Sequence, residues 1–286
     1  MEFPIVILIG YLTKRFFEKE TGKILSKLVV NFTLPAAVFY SLTTARFHFS
    51  KFAFTATGVL SNLVLISVAL LVFSRIEDPR VRIPIVLSFV GFNTGLFMYP
   101  LAESLWGVDS VVNYALFDLG NSFFIFGVGK AVAERSGVKG VLKVFEFPPF
   151  LVLMLSLILN QFGFYPPGIV LKVAQTIKNA NAFLVFFLVG YYLSFKSVFR
   201  KARLIAVAGV VKYLLGFIVS FFAVRMFTLS SFEKMNLFLS PLLPSAIMTL
   251  VYSIEKDYDS ELASGLITFS TIVSSAIILL TDRFWG

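Results

Sequence analysis

The chain has 286 residues, of which 58% are hydrophobic and only 14% are charged, and its mean hydropathy is +0.88. Soluble domains carry about 25% charged residues, so this composition predicts an all-α membrane protein and excludes a soluble enzyme. The net charge of +9 is interpreted as basic loops at the membrane surface, because no polar stretch is long enough to form a nucleic-acid-binding domain. Since there is no Cys, a disulfide, a thiolate metal site and a Cys nucleophile are all excluded.

Ten apolar stretches follow one another along the chain, and each is predicted to cross the bilayer once. Short links connect them, so no separate soluble domain is expected. The longest polar link, Lys130 to Glu146, divides the chain into two predicted five-span halves, residues 1–133 and 134–286. The predicted spans one to ten are residues 3–17, 24–44, 52–73, 82–104, 110–132, 140–161, 169–193, 203–226, 234–254 and 260–281.

Spans four and nine are each interrupted by helix-breaking residues. The first interruption is Gly91-Phe92-Asn93-Thr94-Gly95, and the second is Ser240-Pro241-Leu242-Leu243-Pro244-Ser245. A broken helix in lipid frees backbone groups, which is tolerated only where they face protein or a water-filled cavity. Paired breaks at corresponding positions of two halves point to the binding site of a secondary transporter. The predicted substrate-binding residues at these breaks are Asn93, Thr94, Gly95, Pro100, Pro244 and Ser245.

The distribution of basic residues predicts the orientation of the chain. Lys and Arg concentrate in the odd-numbered links, for example in the links around Lys23, Arg80, Lys139 and Arg200. The positive-inside rule therefore places the odd links in the cytoplasm and both termini outside. His48 falls in a short external link and is interpreted as a surface residue, not as a metal ligand.

The two halves also match each other at a constant offset of 150 positions. Asn31 matches Asn181, and Asp109-Ser110 matches Asp259-Ser260. These matches together favour a duplication. Because each half has an odd number of spans, the second half is predicted to enter the membrane upside down, as an inverted repeat.

Several of these stretches resemble a known family. The residues from Leu25 to Phe39 resemble the second-span signature of the auxin efflux carrier family. The stretch Gly91 to Gly95, with Tyr99-Pro100-Leu101, resembles its fourth-span crossover, and Pro241 to Tyr252 resembles its ninth span. The similarity covers essentially the whole chain in the right order. This family includes plant auxin exporters and microbial carriers proposed to move malate and other organic anions.

The resemblance implies a fold of ten helices like that of bile acid–sodium symporters. Spans one, two, six and seven would form a scaffold, which is often a dimerisation surface, so a homodimer through the scaffold helices is expected. The other six spans would form a moving transport domain, with broken helices four and nine crossing near mid-membrane. The chain lacks the long central hydrophilic loop of the plant proteins, and nothing in it favours auxin over other substrates.

Polar residues at the breaks suit a carboxylate substrate. The N-terminal ends of half-helices carry partial positive charge, and Asn93, Thr94 and Ser245 add side-chain donors. The alternative is that glycine and proline only kink packed helices. Asn31 and Asn181, inside spans two and seven, either line the site or bond a neighbouring helix.

Charged residues inside the spans are the other candidates. Asp118, with Asn121 one turn further on span five, and Lys212 on span eight lie at a depth where charge is costly. We hypothesise an Asp118–Lys212 contact linked to transport; a static ion pair is the alternative. Lys178 on span seven either attracts the anion or extends to the membrane surface.

The sequence thus predicts a secondary active transporter of a small organic anion in the cytoplasmic membrane, working by alternating access. No metal or cofactor is expected, and the partners are the organic anion and the bilayer, not nucleic acid. A proton is the first choice of coupling ion and sodium the second. A channel or a sensor of the same fold is an alternative, whereas an intramembrane enzyme lacks the necessary reactive groups.

Overall fold

The structure is a computed structural model that describes residues 3–44 and 51–285. Helices make up nearly all of these two ranges, which contain no strand and a single isolated antiparallel bridge. The predicted surface residue His48 lies outside the described residues. The all-helical membrane class predicted from composition is confirmed.

Six helices within the described ranges are long and apolar enough to cross a membrane. They are Glu20–Thr44, Phe52–Val72, Val108–Glu134, Gly168–Arg200, Ala202–Met226 and Ser260–Arg283. A seventh crossing results if Lys139–Glu146 and Pro148–Gln161, which are bent by 64° at their junction, count as one span. The other predicted spans consist of shorter helices, so the count of ten stays a prediction.

The chain forms two compact units, and the first consists of residues 3–44, 94–115 and 145–193 of the described chain. In this unit the helices Phe3–Thr13 and Gly168–Tyr192 pack tightly, since a Cβ on Gly10 would meet the carbonyl oxygen of Phe187. The helices of unit 1 are α1 (Phe3–Thr13), α2 (Lys19–Leu28), α3 (Leu34–Thr44), α6 (Tyr99–Trp106), the first part of α7 (Val108–Phe123), α10 (Pro148–Gln161) and α11 (Gly168–Tyr192). Short π-helical turns, Val29–Thr33 and Thr94–Met98, precede α3 and α6.

The second unit consists of residues 51–93, 116–144 and 194–285 of the described chain. Its helices are α4 (Phe52–Val72), α5 (Pro79–Ser88), the second part of α7, α8 (Lys130–Glu134), α9 (Val138–Val141), α12 (Phe195–Arg200), α13 (Ala202–Met226), α14 (Ser231–Leu239), α15 (Met248–Glu255) and α16 (Ser260–Trp285). A π-helical turn, Phe124–Gly129, joins α7 to α8. The predicted repeats and the predicted scaffold and transport domains stay predictions, because the two units describe which residues pack together and not internal symmetry or domain motion.

Local sequence signals start the two helices of unit 2 that lead into the interruptions. Asp78 caps α5 by accepting a hydrogen bond from the backbone N–H of Arg80 at 2.8 Å, with Pro79 at the first helical position. At α14, Ser230 and Glu233 form a reciprocal capping box. Both helices therefore begin at fixed residues, and each of them runs from its cap into an interrupted stretch.

Glycines let α4 and α7 pack with their backbones close together. A Cβ on Gly120 would lie 2.7 Å from the carbonyl oxygen of Thr55, and a Cβ on Gly58 would collide with the carbonyl oxygen of Phe117. The Thr55 hydroxyl also donates a hydrogen bond to the Leu116 carbonyl at 2.8 Å. Small residues at such interfaces allow close helix approach in membranes. This approach brings polar side chains of the two helices within reach of each other.

Candidate functional site

Helical structure stops in both interrupted stretches. The helix α5 ends at Ser88, and helical turns resume only at Thr94. After α14, a short 3-10 turn ends at Leu242, and α15 begins at Met248. We call residues 89–93 the first segment and residues 243–247 the second segment; both belong to unit 2.

The two segments pair with each other through their backbones. Phe92 and Ser245 form an isolated antiparallel bridge. The N–H of Asn93 donates to the carbonyl oxygen of Pro244 at 2.8 Å. Backbone groups that a continuous helix would have paired internally are thus satisfied between the segments, as a buried polar backbone requires.

Gly91 is the residue that turns the chain in the first segment. Its φ of +88° lies in a region that side-chain-bearing residues rarely adopt. A Cβ there would also collide with the side chain of Ile125. The N–H of Gly91 donates to Asn62 Oδ1 at 2.7 Å, and its carbonyl oxygen accepts from the N–H of Ala246 at 3.3 Å.

Two asparagine side chains hold the first segment from α4 and α7. Asn121 Oδ1 accepts from the N–H of Phe92 at 2.8 Å, and Asn121 Nδ2 donates to the Phe92 carbonyl at 2.9 Å. The same Nδ2 donates to Asp118 Oδ1 at 2.7 Å. Asn62 Nδ2 donates to Asn121 Oδ1 at 3.3 Å and to the carbonyl of Gly58 at 2.8 Å. Asp118 therefore orients Asn121, and Asn121 fixes the backbone of Phe92.

Hydroxyl groups hold the second segment. The N–H of Ser245 donates to Ser270 Oγ at 3.1 Å, and Ser245 Oγ donates to the carbonyl oxygen of Ser88 at 2.7 Å. Just before the segment, Ser274 Oγ donates to the Leu242 carbonyl at 2.7 Å. Serines of α16 thus bind the backbone on both sides of Pro244.

Lys212 is a buried cation beside the end of α5. Lys212 is 3% exposed. Its Nζ donates a hydrogen bond to the carbonyl oxygen of Ser88 at 3.0 Å and lies 4.7 Å from the ring centroid of Phe92. Lys212 thus reaches the end of α5, whereas Asp118 Oδ1 accepts a hydrogen bond from Asn121; the hypothesised Asp118–Lys212 contact stays a prediction. The coupling roles of Asp118, Asn121 and Lys212 stay predictions.

Asn93 presents a buried side-chain amide nitrogen without a hydrogen-bond partner among the described residues. The residue is 4% exposed, and the unpartnered atom is its Nδ2. Buried amide donors are nearly always paired, so each exception needs an explanation. A bound ligand that accepts a hydrogen bond from Asn93 Nδ2 would be such an explanation.

The other three residues predicted at the breaks belong to unit 1. Thr94 opens the π-helical turn, and Pro100 occupies the first turn of α6. A Cβ on Gly95 would lie 3.0 Å from the side chain of Leu34. All three are buried, and the boundary between the units passes between Asn93 and Thr94.

Lys178 and Asn181 on α11 have partners within unit 1. Lys178 Nζ lies 2.5 Å from Glu103 Oε1 and 4.8 Å from the ring centroid of Tyr40. Buried Asn181 accepts a hydrogen bond from Thr33 Oγ1 at 2.8 Å through its Oδ1. The charge of Lys178 is therefore balanced by a carboxylate, and Asn181 joins two helices. Whether either residue contacts substrate stays a prediction.

Asn31 lies differently from its sequence counterpart Asn181. It is exposed, and its Nδ2 donates to the carbonyl of Lys27 in the preceding turn at 2.9 Å. The equal offset in sequence thus corresponds to unequal surroundings in the structure.

The chain is similar to known transporters. A family model described as "Membrane transport protein" matches residues 3–137. An uncharacterized transporter of Methanocaldococcus jannaschii is 27% identical over 297 residues, covering 99% of this chain and 95% of that protein. Another, of Methanothermobacter thermautotrophicus, is 25% identical over 291 residues, covering 94% of this chain and 92% of that protein. The resemblance to the auxin efflux carrier family is confirmed, as is the prediction that the chain is not an enzyme.

Sequence reasoning missed two polar residues of this chain. Asn62 was overlooked although an amide in the middle of an apolar span is unusual, and this is the signal that could have found it. Glu103 was overlooked because it stands near the end of predicted span four, where a carboxylate is unremarkable. Its pairing with Lys178 depends on the folded chain and leaves no local signal.

Proposed function

We propose that this transporter is a secondary active carrier of a small organic anion and that the carboxylate of the anion binds beside the first and second segments of unit 2. The single observation that carries the proposal is the buried, unpartnered Nδ2 of Asn93 at the point where the two segments pair. A carboxylate oxygen would accept a hydrogen bond from this amide.

The charges around the segments also favour an anion. The second segment leads into the N-terminal end of α15, where the helix dipole attracts negative charge. Lys212 adds a buried positive charge beside Phe92. A neutral substrate would gain less from either feature than an anion would, and an organic cation would be repelled by both.

The wider mechanism rests on the sequence predictions. We propose ten spans in two inverted repeats, with broken helices four and nine crossing at the binding site, in a multi-pass protein of the cytoplasmic membrane with both termini outside. Substrate would cross by alternating access as the six-span domain moves, driven by a proton or sodium gradient. A homodimer through the scaffold helices belongs to the same proposal.

The test is transport by the purified protein in liposomes. Solid-supported-membrane electrophysiology with a panel of mono- and dicarboxylates, with and without proton and sodium gradients, should give a substrate-specific current. Counterflow of labelled substrate should accompany it, since only a carrier exchanges bound substrate. The variant Asn93→Ala should lose roughly tenfold in apparent affinity, as expected for one lost hydrogen bond to a charged group.

Asn236→Ala is the matched control. Asn236 on α14 is fully buried, and neither side-chain amide atom has a hydrogen-bond partner among the described residues, but it lies outside both segments. It should keep the affinity of the wild type. An unchanged affinity in Asn93→Ala, or currents from organic cations only, would contradict the proposal. Current without counterflow would indicate a channel, and carboxylate binding without flux a sensor.

A further inference from the structure

Lys212 is held by groups that attract a positive charge. Its ammonium donates to the carbonyl oxygen of Ser88, the last residue of α5, at 3.0 Å. Ser245 Oγ donates to the same carbonyl oxygen at 2.7 Å, and the ring centroid of Phe92 lies 4.7 Å from Nζ. No ion pair joins Lys212 to a carboxylate in residues 3–44 and 51–285. The ammonium is therefore held by a carbonyl oxygen and a ring face.

The C-terminal end of a broken helix favours a positive charge. Carbonyl groups there are freed from the helix and carry the negative end of its dipole. Ring faces add to the attraction. In transporters with discontinuous helices, such half-helix ends and unwound carbonyls coordinate sodium ions. Lys212 offers the same charge to the same kind of oxygen, in a place that is 3% exposed.

We infer that Lys212 fills a monovalent-cation site at the C-terminal end of α5, its ammonium standing where a Na⁺ or K⁺ ion would otherwise bind. The site is formed by the carbonyl oxygen of Ser88, which also accepts a hydrogen bond from the Ser245 hydroxyl, and by the ring of Phe92. The consequence for transport rests on the proposed function: the positive charge beside the organic anion is built into the chain and is not supplied by a bound metal ion.

A covalently attached cation differs from a free one in one decisive respect. A sodium ion can leave the site and carry the energy of its gradient, whereas the ammonium of Lys212 stays with α13. This site therefore contributes no sodium coupling in the wild-type chain. Removing the side chain should turn the filled position into a true metal-ion site.

Three substitutions separate charge from volume. Lys212→Ala removes the ammonium and opens space, while the Ser88 carbonyl keeps its bond from Ser245. Lys212→Met fills the space with an uncharged chain of similar length. Lys212→Arg keeps the positive charge. Each full-length protein would be unfolded thermally in detergent with NaCl, KCl or choline chloride at constant ionic strength.

The wild type, Lys212→Met and Lys212→Arg should show the same change in unfolding temperature as one another when choline chloride is replaced by NaCl or KCl. Lys212→Ala should be stabilised by NaCl or KCl over choline chloride by roughly 3–5 °C at about twenty times the Kd of the metal ion. A stabilisation of Lys212→Ala by NaCl or KCl that is no larger than that of the wild type would overturn the inference, as would an Lys212→Ala protein that responds equally to all three salts.

Lys212→Ser, which adds a hydroxyl ligand, takes the place of Lys212→Ala if the latter does not fold. If neither folds in any salt while Lys212→Met does, the inference is wrong, because a metal ion should have restored them. Carboxylate binding is measured on the same samples. If the wild type binds no carboxylate but Lys212→Ala responds to metal ions, the proposed anion carrier is wrong and the cation site stands. If the wild type binds carboxylate but Lys212→Ala does not respond to metal ions, the cation site is wrong and the anion carrier stands.

Discussion

The first segment is held by amide side chains, whereas the second is held by hydroxyls. Asn62 and Asn121 bind the backbone of the first segment from α4 and α7. Ser270 binds the second from α16, and Ser245 binds the end of α5 with its own side chain. Both segments lie in the same unit and must satisfy the same kind of freed backbone groups.

The difference lies in what each side chain can offer. An amide is both donor and acceptor at separate atoms, so Asn121 pairs with the N–H and the carbonyl of one residue, Phe92, at once. A hydroxyl acts through a single oxygen, and Ser270 binds one backbone N–H. The proline at 244 removes one further donor that would need a partner. The first segment therefore depends more on each of its supporting residues than the second does.

Gly91→Ala should have the largest effect of any single change in either segment. Alanine must adopt a positive φ and must also displace Ile125. Together these should cost about 3–5 kcal/mol, which would appear as a large fall in the unfolding temperature of the detergent-solubilised protein. The second segment has no glycine, so no equivalent change exists there.

Gly163→Ala separates strain from crowding. Gly163 has a φ of +65°, but a Cβ there would meet no atom of the described chain within 4 Å. It should cost only about 1–2 kcal/mol, the strain alone. Equal losses in the two variants would show that Ile125 gives way freely and that the first segment is less tightly packed than the structure indicates.

Asn121→Ala should have the next largest effect. It leaves both backbone groups of Phe92 buried without their side-chain partner, which should cost about 2–3 kcal/mol. Asn62→Ala leaves one backbone group of the first segment, the N–H of Gly91, without its side-chain partner and should cost less. Because Asn62 also bonds Asn121 at 3.3 Å, the double variant should lose less than the sum of the two. Additive losses, measured by thermal unfolding, would mean that the two amides act independently.

The positions of the breaks could be predicted from sequence, and their supports could not. Gly91 and Pro244 carry backbone preferences in their own covalent structure, so they mark the segments without any knowledge of the fold. Asn62 supports the first segment only because α4 packs against α7, a tertiary fact. Lys212 was recognisable as a buried charge, but its partner is a backbone carbonyl. Reasoning from pairs of opposite charges therefore pointed to Asp118 instead.

Ser270→Ala should have a smaller effect on stability than Gly91→Ala or Asn121→Ala. It removes the acceptor for the N–H of Ser245, a single buried group, and should cost about 1 kcal/mol. Ser275→Ala, on the same helix, is the matched control, since the described residues give its hydroxyl no hydrogen bond; it should be nearly neutral. A loss from Ser270→Ala as large as that from Asn121→Ala would remove the difference between the segments, because one hydroxyl would then support its backbone as strongly as a two-armed amide. A loss no larger than that of Ser275→Ala would mean that the prolines and Ser245 hold the second segment without help from α16.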